Sequence, residues 1–163
     1  MSGAAPRLRM FAGPNGSGKS LLKTLLPAEL LGVYVNPDEI EAAIKLTGYL
    51  QLGDFQIEAD SDEILAFFKA SDLLSAQGLG AGTNALRFQD QSLRFDGVAV
   101  NSYFASVTAA FIRQKLIQAG RSFTLETVMS SPDKVALLEH AKTFGYRTYL
   151  YFIATDDPEI NLS

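Results

Sequence analysis

The chain has 163 residues, enough to bury a real core, and its 47% hydrophobic and 20% charged content is ordinary for a folded globular protein. With 14 Lys+Arg against 18 Asp+Glu the net charge is −4, which argues against a broad nucleic-acid or anionic-membrane surface. The absence of cysteine excludes disulfides and thiolate metal centres, and His140, the single histidine, sits in a helix-like run (Ala136-Leu137-Leu138-Glu139-His140) that offers neither a zinc site nor a Ser-His-Asp triad. Met1 to Pro6 lacks the apolar stretch of a signal peptide. No apolar run approaches the length of about 18 residues that a membrane span needs, so the expectation is a cytoplasmic protein without nucleic-acid or membrane partners.

Apolar runs alternate with helical periodicity, which predicts an α/β domain with a mainly parallel sheet flanked by helices. Arg7 to Ala12 reads as a buried first strand, followed by a glycine-rich turn and a helix from Lys19 to Leu26 that stops near Pro27. Gly32 to Asn36 is a short second strand. Asn36-Pro37-Asp38-Glu39 then has the form of a helix start, with Asn as N-cap, Pro at the first helical position and acids in the first turn. Asp60 with Glu63 resembles a capping pair and predicts a helix to about Gln77. Residues 78 to 100 carry the weakest pattern, although Leu86-Arg87-Phe88 and Leu93-Arg94-Phe95 echo each other seven positions apart. Two copies do not make a repeat architecture.

Beyond that stretch, Phe104, Val107, Phe111 and Leu116 fall near one face of a helix from Asn101 to about Ala119. Ser122 to Glu126 is a third strand, Ser131-Pro132-Asp133 starts another helix, and Tyr146 to Ala154 is an apolar, aromatic fourth strand. Asp157-Pro158-Glu159 opens one more helix shortly before Ser163.

The turn after the first strand holds the strongest signal. Gly13-Pro14-Asn15-Gly16-Ser17-Gly18-Lys19-Ser20, with Leu21 next, matches G-x-x-x-x-G-K-[ST] at every fixed position and lies between a predicted strand and a predicted helix. Glycines let backbone N–H groups turn inward onto phosphate oxygens, and the helix N-terminus adds unpaired donors and a positive dipole end. Lys19 would meet the β- and γ-phosphates, and the Ser20 hydroxyl would ligate Mg²⁺. The expected ligands are ATP, ahead of GTP, and Mg²⁺.

Ligands of open parallel sheets sit beyond the carboxyl ends of the strands, where two acids fall. Asp38 follows the second strand and could act as a general base toward an attacking hydroxyl, or simply stabilise the dipole of its helix. Glu126 closes the third strand, where it could hold a magnesium-bound water or a substrate hydroxyl, or be a bland strand-end carboxylate. Arg87, Arg94, Arg113 and Arg147 are phosphate candidates whose plainer reading is surface charge.

In this order, the P-loop from Ala12, Val35-Asn36-Pro37-Asp38-Glu39-Ile40, Asn101-Ser102-Tyr103-Phe104-Ala105-Ser106, Ser122-Phe123-Thr124-Leu125-Glu126-Thr127 and Gly145-Tyr146-Arg147-Thr148-Tyr149-Leu150-Tyr151 resemble the zeta-toxin family of P-loop kinases. The resemblance is loosest over residues 47 to 100. It implies one P-loop kinase-like domain over residues 1–163, with a helical insert over about 54–105, that transfers the ATP γ-phosphate to a small-molecule hydroxyl. In the best-understood members the acceptor is a UDP-N-acetyl amino sugar. By position Asp38 would be the base, Lys19 and Ser20 the phosphate and magnesium groups, and Glu126 the acid after the third strand; an antitoxin protein would be a partner.

Ala110 stands where the family carries an acceptor-contacting acid, and the family pattern continues past the fourth strand into an arginine-bearing lid that this sequence lacks before Ser163. The expectation is therefore a core that binds nucleotide better than it turns it over. The alternative is a nucleotide-binding module without catalysis that acts through a partner. An ATPase of the transporter or motor kind fits poorly, because no strand ends in an acidic pair; Asp156-Asp157 introduces a helix instead.

Overall fold

A computed structural model describes residues 4–14, 18–128 and 132–153. They form two compact units: residues up to Tyr34 together with those from Gly120 onward, and the continuous segment Val35–Ala119.

The first unit is built on a four-stranded sheet of order β2-β6-β1-β7, from β1 (Arg7–Ala12), β2 (Val33–Val35), β6 (Phe123–Thr127) and β7 (Arg147–Phe152). β1 lies parallel to both neighbours, with Leu8 opposite Phe123 and Thr148, and Ala12 opposite Thr127 and Phe152. Parallel neighbours require crossover connections, and helices α1 (Lys19–Leu25), α2 (Ala28–Leu31) and α7 (Pro132–Thr143) occur in the links. The fold is the expected α/β class.

Alternation along β1 gives the sheet two different faces. Leu8, Met10 and Ala12 are buried on one, beside Phe123 and Leu125. The other carries Arg9, Phe11, Thr124 and Glu126, all buried, and this unusual polar content has partners. The Arg9 guanidinium donates to Leu30 O and to the Tyr151 hydroxyl (3.3 Å) and lies over the Tyr149 ring (4.9 Å). The Thr124 hydroxyl donates to Leu31 O (2.7 Å). Arginine and threonine thus satisfy the final carbonyls of α2, a position that also suits a cation by its dipole.

Gly32 then admits β2 to the sheet. Its φ is 62°, and a Cβ there would stand 2.3 Å from Ser122 O, the atom that accepts the Val33 amide (3.2 Å). Any side chain would force β2 off its neighbour.

The second unit contains α3 (Pro37–Thr47), β3 (Tyr49–Gln51), α4 (Ser61–Lys69), α5 (Asp72–Ala76), β4 (Arg87–Gln89), β5 (Ser92–Arg94) and α6 (Ser102–Ala119). The predicted caps hold: Asn36 Oδ1 accepts from the Asp38 amide (3.0 Å), and Asp60 and Glu63 form a capping box. Glu63 also pairs with Lys115 of α6 (2.9 Å). The core joins Ile40 and Ile44 of α3, Ile64 and Phe68 of α4, and Phe104, Phe111 and Leu116 of α6, with Phe95 edge-on to both Phe68 and Phe104 (6.4 Å each).

Two features differ from expectation. The helix predicted from Asp60 to about Gln77 is two, because Ser71 leaves the helix and caps α5 by accepting from the Leu74 amide (3.2 Å). The weakly patterned stretch supplies β4 and β5 of a second sheet of order β3-β5-β4, and the echoed tripeptides lie along the arms of its hairpin, with Arg87 opposite Arg94 and Phe88 opposite Leu93. Among the described residues no helix is long and apolar enough to cross a membrane.

Candidate nucleotide site

β1 ends at Ala12, and Gly13 continues alongside β6, its amide donating to Val128 O (3.0 Å) and Thr127 O (3.3 Å). The loop base is therefore pinned to the strand that carries Glu126. Asn15, Gly16 and Ser17 lie outside the described residues, as does the Ser20 side chain. Pro14 is partly exposed. Gly18 is the residue before α1, with φ 93° and nothing within 4 Å of where a Cβ would be, a backbone state that favours glycine. Ser20 and the 60%-exposed Leu21 are in the first turn of α1, and the Leu21 amide donates to Gly18 O.

Lys19 is the most informative side chain. It is only 7% exposed, and its Nζ donates to Gly13 O (2.6 Å) and Pro14 O (3.1 Å). None of the ion pairs among the described residues involves it. Among the described residues this buried ammonium meets neutral carbonyls and no carboxylate, and an anion at the loop would complement its charge. The residues present thus fit a phosphate ligand. Phosphate oxygens, as charged acceptors, would compete with the two carbonyls for this group.

Glu126 is 8% exposed at the carboxyl end of β6. Phe11 is its register partner on β1, two residues ahead of Gly13, so the structure brings this carboxylate and the loop base to the same end of one sheet. Its Oε2 accepts from the Tyr34 hydroxyl, and Lys23 Nζ of α1 lies 4.2 Å from the Tyr34 ring centroid. Sequence reasoning missed Tyr34. Its only signal was an aromatic residue carrying a hydroxyl at the centre of a short buried strand next to Glu126's strand. Tyr34→Phe should cost about 1–3 kcal/mol of stability, because it strips a donor from a buried carboxylate. Urea denaturation measures this, and a cost below about 0.5 kcal/mol would show the contact to be energetically idle.

Asp38 belongs to the second unit. It is the second residue of α3, exposed, with its amide held by Asn36 Oδ1. Ala110 is half-buried on α6. The arginines are dispersed: Arg87, Arg94 and Arg113 lie in the second unit, and Arg147 begins β7 opposite Arg7, at the end of the sheet away from the loop. Among the described residues no three of His, Cys, Asp and Glu gather into a metal cluster. Magnesium in such loops is held by one hydroxyl together with phosphate and water, so a protein cage is not what the chemistry requires.

Comparison with known proteins bears on the fold and on the carboxyl-terminal half of the chain. Residues 91–161 match the sequence profile of the Zeta toxin family, a span from the second hairpin arm through α6, β6, α7 and β7. Among curated protein sequences none matches this chain. A crystal structure of a candidate kinase from Chloroflexus aurantiacus j-10-fl is similar in fold, with a TM-score of 0.50 and 13% identity. The match covers 94% of this chain and 62% of that one, so this chain spans less than two thirds of that protein's length. The chain thus has an α/β fold similar to that of the kinase-described structure, and over residues 91–161 its sequence is similar to the Zeta toxin family.

Proposed function

We propose that the protein is a phosphotransferase core that binds ATP with Mg²⁺ and passes the γ-phosphoryl group to a hydroxyl of a small molecule, with a UDP-N-acetyl amino sugar as the first acceptor to test. The buried Lys19 ammonium at the head of α1, which has no carboxylate partner among the described residues, is the single observation that carries this reading. In it Gly13 to Leu21 cradle the phosphates, Ser20 supplies the magnesium-ligating hydroxyl and Lys19 holds phosphate charge. Bound magnesium would supply charge neutralisation at the phosphates. Asp38 accepts the acceptor's hydroxyl proton, and Glu126, steadied by Tyr34, orients a magnesium-bound water or the acceptor hydroxyl. An antitoxin protein is the natural macromolecular partner of such a core, and the cytoplasm its natural compartment.

Calorimetric titration with ATP and with GTP, each with Mg²⁺, tests the binding step. Saturable ATP binding that depends on the triphosphate supports the reading, and its absence at millimolar nucleotide overturns it. A second reading, nucleotide binding without transfer, is favoured by Ala110 at the position of the family's acceptor-contacting acid. Label from γ-phosphate-labelled ATP appearing on the acceptor separates the two.

A further inference from the structure

The β3-β5-β4 sheet presents its apolar face, Leu50 and Leu93, to the core of the second unit. Its other face is polar and recessed. Tyr49, Gln51, Gln89, Asp90, Ser92 and Arg94 line an open depression of about 390 Å³, a size that suits a small metabolite. None of the nucleotide-loop residues lines it.

Several observations mark this face as more than a solvated surface. Ser92 is 5% exposed, and its Oγ is buried with no hydrogen-bond partner among the described residues, a deficit that native structures seldom leave unfilled. Arg94 lies over the Tyr49 ring, 5.3 Å from the centroid, and has no carboxylate partner among the described ion pairs. Arg87 stands directly across the hairpin from Arg94, and its guanidinium turns back onto Asn84 O (2.9 Å) and Leu86 O (3.0 Å). Like charges placed opposite one another destabilise a hairpin. This protein, of net charge −4, nonetheless places two arginines there.

The turn between the arms is also costly. Asp90 and Gln91 both have positive φ (54° and 60°), which the I′ turn of a two-residue hairpin demands but side chains resist. It is held from both sides. The Gln91 amide makes a two-way clasp with the Ala59 backbone (2.9 Å each), and Gln51 Nε2 donates to Asp90 O (3.1 Å). The depression is therefore a rigid shape.

We propose that this depression binds a small hydroxylated anion of the monosaccharide-phosphate type. The Arg94 fork meets the phosphate. The Asp90 carboxylate and the Gln51 and Gln89 amides take the sugar hydroxyls, since an acid beside two amides suits neutral donors and disfavours a polyanion such as nucleic acid.

The experiment uses the full chain carrying Lys19→Ala, so that phosphate held by the nucleotide loop is not mistaken for this site. Glucose 6-phosphate, glucose and inorganic phosphate are titrated separately by calorimetry. Glucose 6-phosphate should bind saturably, and the other two at least about tenfold more weakly. Arg94→Gln should weaken glucose 6-phosphate at least about tenfold and Asp90→Asn by about three- to tenfold, with melting temperatures showing both variants folded. The proposal is overturned by any of three results: no saturable binding below about 10 mM, equal affinity for inorganic phosphate, or affinity unchanged in Arg94→Gln. Because Lys19 is already absent, failure here leaves the nucleotide reading intact, and failure of nucleotide binding leaves this site intact.

Discussion

Asp38→Asn is expected to lower phosphoryl transfer by about 10²–10⁴-fold while Mg-ATP affinity stays within about twofold of the parent protein. The substitution keeps the shape of the side chain and leaves the backbone bond from the residue 38 amide to Asn36 Oδ1 in place, so α3 still begins correctly. It removes the ability to take a proton. The competing role for this carboxylate, favourable alignment with the dipole of α3, is worth only about 0.3–1 kcal/mol and would appear as a small loss of stability with no change in rate. Single-turnover transfer from labelled ATP, paired with calorimetric ATP binding, distinguishes the two roles. Loss of nucleotide binding in the variant, or transfer at the parent rate, would remove Asp38 from the base position.

The second large effect is on binding. Lys19→Ala should weaken Mg-ATP by about 10²–10³-fold, because two charge-assisted contacts worth about 1.5–3 kcal/mol each disappear together. The ammonium is already desolvated and pointed across its own loop, at Gly13 O and Pro14 O. Its burial has thus been met by the fold before any ligand arrives, and bound phosphate would gain a preorganised partner. Lys19→Arg should rescue little, since a planar fork is larger and differently hydrated than a compact ammonium. Calorimetry on both variants is the measurement, and ATP affinity that survives Lys19→Ala would mean that the loop does not hold the triphosphate.

Much of the framework was legible from residue types whose conformational demands are local. Asn36 with Pro37 and Asp60 with Glu63 announce helix starts because their side chains bond amides two or three residues away. β1 and β6 were readable because buried parallel strands are nearly continuous apolar runs. Ser71 was not readable as a helix break, since its neighbours Leu73 and Leu74 continue an apolar helical pattern across it. The second sheet escaped because its strands are three residues each, too short for alternation to register, and its I′ turn uses Asp90-Gln91 where glycine or asparagine is the usual signal. The Leu-Arg-Phe echo was visible, yet only pairing shows that it is one hairpin folded on itself. Tyr34 went unrecognised for a different reason: its importance lies in Glu126, a residue distant in sequence and adjacent only in the sheet.

The pairing of β1 with β6 and β7 has a consequence for how the molecule comes into being. Leu8 must wait for Phe123, and Arg7 for Arg147, before their ladders can close, whereas residues 35–119 form one uninterrupted stretch with its own apolar interior. On the ribosome the segment 35–119 can therefore mature first, leaving β1 unpaired until residues 123–127 and 147–152 emerge. The base of the loop at Gly13, whose amide donates to Thr127 O and Val128 O, is then set only after β6 has been made, and a ligand held there can stabilise only a polypeptide already extended past that strand.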